Sequence, residues 1–400
     1  MKVLLINAVC DSGSTGKICT DIADELIQCG HEVRIIYGNG TSTYPKAFRV
    51  GSDLLVKINA LYARFSGYIA HGAYYETSQI IKVIESFQPD VLHLHNLHAN
   101  FVNLKKLLDY LAEHDIATVI TLHDCWFFTG KCTHYHSIGC TKWKEGCRDC
   151  VKLKEDIPSF IFDKTNYMWN EKKEGFAHIK RLGVIGVSDW ITGEAEMSFL
   201  ANASILRRIY NWIDLKTFVP MKFNKSVDEK FIAFCASTLW EKNTDRFRDL
   251  KKLAENLDPS MELIVAGKVE IPEQLPSNVK CIGYVNSQKE MALLYANADV
   301  YIHLSREDTF GKVIAEAMAC GTPAIVYNST ACPEIVKDDM GYVVSTGDIK
   351  DIVKCCRIIQ HNGKEVYSKH CRESARDRFN QEKLITETVE LYEQLIKMET

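Results

Sequence analysis

Short apolar runs, each about the length of a strand and each followed by an amphipathic stretch, recur along this chain and restrict it to parallel sheets covered by helices. KVLLINA opens the chain, Ile18, Ile22 and Leu26 follow at helical spacing, and EVRIIYG at 32–38 is the next run. DVLHLH (90–95), ATVITL (117–122) and GVIGVS (183–188) repeat the pattern, with NLKKLLDYLAEH (103–114) as an amphipathic insert. Parallel strands need crossover connections, so helices must cover both faces. The pattern then restarts with KFIAFCA (230–236), MELIVAG (261–267), DVYIHLS (299–305) and TPAIVY (322–327), separated by LKKLAENL and KEMALLYANA. The expected fold is α/β, two doubly wound Rossmann-like domains facing across a cleft. Their expected bounds are 1–218 and 219–378, with the junction at Phe218 to Asp228 and a closing amphipathic helix over 379–400. Ligands of such sheets bind outside the carboxyl ends of the strands, which is where His123, Ser188 and the segment after Ser305 fall.

A chain of 400 residues with 46% hydrophobic content and no low-complexity tract is not disordered. Lys plus Arg at 48 against Asp plus Glu at 52 leaves a net charge of -4, so no global basic field favours nucleic acid as a partner. The start, MKVLLINAVCDSGSTGK, lacks the basic head and long apolar stretch of a signal peptide, and no run reaches the roughly 18 apolar residues of a membrane span. The expected compartment is the cytoplasm, where thiols stay reduced. Ten of the fifteen cysteines then read as small buried apolar residues, and five crowd between Cys125 and Cys150.

The segment SREDTFGKVIAEAMACGTPAIVY, residues 305–327, carries the most chemistry. Asp308 and Glu316 stand with seven residues between them, and Phe310, Gly311 and Lys312 open a helix that ends before Gly321 and Pro323. A helix start offers unpaired N–H groups and a positive dipole end, which suits a diphosphate. Glu316, one turn further in, has two acceptor oxygens for ribose hydroxyls, and Asp308 is placed to fix sugar hydroxyls. For either acid alone, a capping Asp and an ordinary helical Glu are the plain alternatives.

As a string, these residues resemble the signature of the family-four retaining glycosyltransferases of the GT-B fold: Glu, seven residues, Glu, an Ala-rich helix and Gly-Thr-Pro. The second acid matches at Glu316, while the first is Asp308, because Glu307 is one residue too far from Glu316. ILRRIYNWIDLKTFVP (205–220) resembles the family's interdomain connector and ALLYANADVYIHLS its approach to the acid motif, so the likeness is nearly full length. It implies that Asp308 and Glu316 hold a nucleotide-diphosphate sugar, UDP- or GDP-linked, with the helix start at Phe310, Gly311 and Lys312 on the diphosphate and no catalytic metal. It also implies that a glycine loop, here Gly13 to Gly16, lies against the donor phosphates. A Walker A loop would need Gly at position 11 and Ser or Thr after Lys17, and the chain has Asp11 and Ile18. A plain turn before a helix is the remaining alternative. The family's basic pair matches at Lys242, but the arginine position holds Ser237 or Thr238, and Arg246 is out of register.

His123, directly after TVITL, matches the family histidine set against the reacting sugar, and Asp124 is its expected partner. In HLHNLH, alternation sends His93 and His95 to one face, and Asn96 and His98 are expected to line the acceptor side. Cys132, Cys140, Cys147 and Cys150 include one Cys-x-x-Cys knuckle, and four soft ligands suit structural zinc; four free thiols are the alternative the spacing leaves open. FFTGKC resembles bacterial capsular and exopolysaccharide glycosyltransferases with a Cys-rich insertion, here 125–150, beside the acceptor. LLVKINALYARFSGYIAHG (54–72) is apolar and aromatic with Lys57 and Arg64, and reads either as a docking helix or as a membrane-surface helix.

The expected activity is retaining transfer of a sugar from a nucleotide-diphosphate donor to a hydroxyl of a glycan or lipid-linked acceptor in polysaccharide synthesis, at the inner face of the membrane or free in the cytoplasm. His123 and Asp308 are the expected catalytic residues, and Gly13, Gly16, Ser237, Lys242, Phe310, Gly311, Lys312 and Glu316 the expected donor contacts. The rival reading is a non-catalytic, metal-binding interaction scaffold, supported by the missing arginine and by Asp308 standing where the resemblance calls for Glu.

Overall fold

A computed structural model describes residues 1–221, 230–337 and 339–398. The chain divides into two units, Met1–Ile209 with Glu382–Thr400, and Tyr210–Gln381. Of the junction expected at Phe218 to Asp228, residues 222–229 lie outside the described residues.

The first unit holds seven strands: β1 (Lys2–Asn7), β2 (Glu32–Tyr37), β3 (Ala47–Arg49), β4 (Val91–Leu94), β5 (Ala117–Leu122), β6 (Leu182–Gly186) and β7 (Ile205–Arg208). Their order is β3-β2-β1-β4-β5-β6-β7, every pairing parallel. The interior strands β4, β5 and β6 are buried at every position, as expected for strands covered on both faces. The helix that ends the chain, Gln381–Lys397, packs on this unit. A Cβ on Gly183 of β6 would lie 2.8 and 2.9 Å from Leu395 and Leu391, so glycine lets that helix settle on the strand. Arg181 donates to the carbonyls of Ile396 at 3.2 Å and Leu395 at 3.5 Å, satisfying acceptors a helix end leaves open.

The second unit holds β8 (Phe231–Trp240), β9 (Met261–Val269), β10 (Val279–Gly283), β11 (Val300–His303), β12 (Ala324–Tyr327) and β13 (Gly341–Val344) in the order β10-β9-β8-β11-β12-β13, again all parallel. β8 runs past its apolar core to Trp240, with a register shift between Ala236 and Leu239. That irregularity presses on β9, where Gly267 has φ +112° and an added Cβ would fall 1.8 Å from the Ser237 carbonyl oxygen. Only glycine fits there. Among the described residues, no helix is long and apolar enough to cross a membrane.

Candidate functional site

In the second unit the acid motif follows β11. Gly311, at φ +84°, is the N-cap of the helix Lys312–Ala319 and, as a glycine, gives its first N–H groups no side-chain cap of its own. Phe310 turns its ring inward against Phe379 (5.3 Å) and Tyr210 (5.9 Å), which leaves its backbone as the part able to meet a ligand. Asp308 is not the cap. Its Oδ2 accepts from His303 Nε2 at 2.6 Å, and its N–H donates to Thr330 Oγ1 at 2.9 Å. Burial pushes this carboxyl up, but His303, Ser305 and Arg246 together outweigh burial and hold it below its usual range. Glu316 sits on the same helix, where burial raises it to about 7 against the opposing pull of Lys312. The segment from Asp308 to Glu316 thus holds an ionised acid and an acid poised at neutrality.

Arg246, which its register had set aside, stands at this site. From the first turn of the helix Asp245–Asn256 it donates to Ser237 Oγ at 2.9 Å and Ser305 Oγ at 3.2 Å. The irregular extension of β8 lengthens the path from strand to helix, and so a guanidinium reaches the position where sequence spacing showed only serine. Lys242 is exposed, and its N–H donates to Glu270 at 3.0 Å. Arg306 ties the loop down by pairing with Asp249 at 2.8 Å and Asp245 at 3.0 Å. Among the described residues, the His, Cys, Asp and Glu group whose ligand atoms all lie within 4.8 Å of one another is His303, Asp308 and Cys332.

In the first unit, Gly13 and Gly16 lie in the first turn of the helix Gly13–Gln28, not in a loop before it. A Cβ on Gly16 would sit 3.2 Å from Asp11 N, so glycine lets the turn fold back on the strand exit. This helix, capped at Ser12, also lacks a side-chain cap bond. Asn7, missed by sequence reasoning, is fully buried at the end of β1. Its amide donates to Val9 O and Thr15 Oγ1, and its oxygen accepts from Asn96 N at 3.1 Å, joining the glycine turn to the segment after β4. An Asn ending an apolar strand was the available signal.

The alternation expected of His93 and His95 is what the structure shows. His93 and His95 share a face with rings 4.0 Å apart. His95 Nδ1 bonds His123 Nε2 at 2.9 Å, and His93 bridges Thr121 and Tyr392. Asp124 accepts from His98 at 3.0 Å and from the Trp126 N–H at 2.8 Å, and its charge acts on the His123 ring against the effect of burial. Burial lowers His123 to about 4 and His93 to about 3, so both rings are neutral near pH 7.

Cys132, Cys140, Cys147 and Cys150 line one pocket in the segment after β5. The Cys132–Cys150 contact holds Cys150 down to about 6 and pushes Cys132 up. The helix Asp53–Ser66 buries only Ala63, whereas Leu54, Ile58, Leu61 and Phe65 are 68, 52, 53 and 49% exposed. A helix docked by its apolar face would bury that stripe.

Residues 15–217 match the family model Glycosyltransferase Family 4, and residues 216–378 match Glycosyl transferases group 1. The candidate colanic acid biosynthesis glycosyl transferase WcaC of Escherichia coli K12 is 25% identical over 374 residues, 88% of this chain and 90% of that protein. Sucrose-phosphate synthase from Thermosynechococcus elongatus superposes with TM-score 0.70 at 17% identity, covering 98% of each chain. Anabaena HepE in complex with UDP and glucose superposes at 0.63 and 14% identity, covering 98% of this chain and 100% of HepE. The shared architecture is GT-B, built from two Rossmann-like parallel-sheet domains.

Proposed function

Since the chain belongs to glycosyltransferase family 4, we propose that it moves a sugar from a UDP- or GDP-sugar, with retention at the anomeric carbon, to a hydroxyl of a glycan or lipid-linked precursor in polysaccharide synthesis. The observation that carries this reading is the helix start at Gly311 with Asp308, Glu316 and Arg246 around it. A leaving diphosphate needs positive charge and directed N–H groups as its bond breaks, and Arg246, Lys242 and the helix's first turn supply both. Asp308, ionised and held by His303, accepts from sugar hydroxyls; Glu316 accepts from the ribose. His123, with a ring that is neutral near pH 7, takes the role of the family histidine toward the reacting sugar by resemblance, and the leaving phosphate takes the acceptor's proton on the same face. Charge stabilisation by these groups leaves no step that calls for a catalytic metal. Two printed names support the wider reading: the WcaC relative for polysaccharide synthesis and the UDP and glucose bound to HepE for the donor class. The exposed stripe of the helix Asp53–Ser66, with Lys57 and Arg64 beside it, suits a membrane surface where a lipid-linked acceptor resides.

The scaffold alternative drew part of its strength from the missing arginine, and Arg246 beside Ser237 removes that argument. A panel of UDP- and GDP-sugars, scored for hydrolysis and for thermal stabilisation, tests the proposal. One donor is expected to respond, with an axial-to-axial or equatorial-to-equatorial outcome by NMR of the product. His123→Ala and Glu316→Ala are each expected to cut transfer by roughly 10²-fold or more with the fold intact. Full turnover in both folded variants, or no response to any donor, overturns the assignment.

A further inference from the structure

We propose that Cys132, Cys140, Cys147 and Cys150 bind one structural Zn²⁺ as a tetrathiolate, and that Lys131 and Lys172 balance its charge. From His123 to Lys164 the chain forms no strand and no α-helix, only the single turns His136–Ile138 and Lys142–Lys144. A segment this long without regular structure rarely holds together by itself. It nevertheless buries Phe128, Tyr135 and Trp143 against one another. Cys132, Cys140, Cys147 and Cys150 line one pocket of about 30 Å³, and Cys147 accepts from the Gly130 N–H at 3.2 Å. A Cβ on Gly130 would lie 2.9 Å from the Cys147 Cβ, so glycine is what lets the two backbones close there.

The independent observation is electrostatic. Lys131 and Lys172 are 1 and 2% exposed. Lys131 Nζ is held by the carbonyls of Lys152, Leu153 and Glu155, and Lys172 Nζ by those of Trp126 and Thr129 over the Trp126 ring. Carbonyls satisfy the hydrogen-bonding of these amines but supply no counter-charge, and burial lowers both lysines, Lys172 to about 7, so an anionic centre beside them would be what keeps them charged. Four thiolates around a divalent ion leave two negative charges, which match two buried lysines. On binding, each thiol gives its proton to solvent as a zinc–sulfur bond forms, and no electrons move. No three of these sulfurs lie within 4.8 Å of one another, so binding draws the pocket inward.

The test uses the full chain purified under reducing conditions without chelator. Elemental analysis is expected to find about one zinc per chain. Cobalt exchange should show thiolate-to-cobalt charge transfer with tetrahedral d–d bands. Cys147→Ser is expected to bind zinc roughly tenfold more weakly or worse. Cys29→Ser, an exposed cysteine far along the chain from the cluster, should leave the stoichiometry unchanged. Because Cys147→Ser risks misfolding, Cys140→His provides the second reading: zinc retained, with a cobalt spectrum shifted toward nitrogen ligation. Four thiols that titrate freely after zinc reconstitution, a disulfide within the cluster of the reduced protein, or a cobalt spectrum without sulfur ligation each overturn the site. Metal content is read without donor or acceptor, so it stands or falls apart from the transfer activity.

Discussion

At the scale of single residues, the acid pair was legible and its environment was not. Asp308 and Glu316 announce themselves by spacing, yet their opposite ionisation is set by neighbours: His303 beside one, an enclosing helix face around the other. Glu316 near 7 gives a pH signature. Below that value it is protonated and loses acceptor capacity for the ribose, so the KM for the sugar nucleotide is expected to rise as pH falls from 8 to 6. Initial-rate profiles check this, and Glu316→Gln, which cannot titrate, is expected to flatten the slope. An unchanged slope in that variant assigns the pH dependence elsewhere. Arg246 makes the complementary point: sequence register excluded it, and an irregular strand end brought it to Ser237.

At the scale of elements, interior strands were readable and edges were not. β3, β7, β10 and β13 are the outer strands of their sheets, and each carries half-exposed or exposed positions instead of a continuous apolar run. An edge strand faces solvent along one side, so its composition drifts toward that of a loop. The helix Asp53–Ser66 shows the converse. Its apolar stripe at Leu54, Ile58, Leu61 and Phe65 predicts a buried face, and the structure leaves that face exposed, continued by Phe160 at 5.8 Å from Phe65. Vesicle sedimentation with anionic lipid is expected to pull down the protein, and Ile58→Ser with Leu61→Ser to weaken the partition by roughly 10²-fold or more, given about 1.5–3 kcal/mol for each buried aliphatic side chain. Equal sedimentation of the variant would refute membrane contact through this helix.

At the scale of the whole molecule, the first unit is assembled from two distant stretches of chain. Leu384, Ile385, Leu391, Tyr392 and Leu395 of the terminal helix are all buried in it. The unit is therefore incomplete until the last residues are made. Tyr392 meets His93 at 2.6 Å, a hydrogen bond sealed away from water. Tyr392→Phe should lower unfolding free energy by roughly 1–3 kcal/mol, because the His93 nitrogen is left buried and unpaired. Denaturant titration checks this; a change near zero means the bond is replaced. The pair also couples terminal helix to pH. His93 is neutral in the fold and charges more readily when unfolded, so its contribution is present above about 6.5 and is lost as pH falls toward about 3.

Periodicity and composition were enough to determine two parallel-sheet domains, and the resemblance carried by the string from Asp308 to Glu316 pointed to a glycosyltransferase, because burial on both faces and the opening turn of a helix impose residue types locally. Tertiary structure alone decided that Arg246 reaches Ser237, that His98 engages Asp124, and that four cysteines line one pocket. Those pairings join residues from different elements, and their distances depend on strand irregularities, burial and packing that leave no periodic trace in a linear chain.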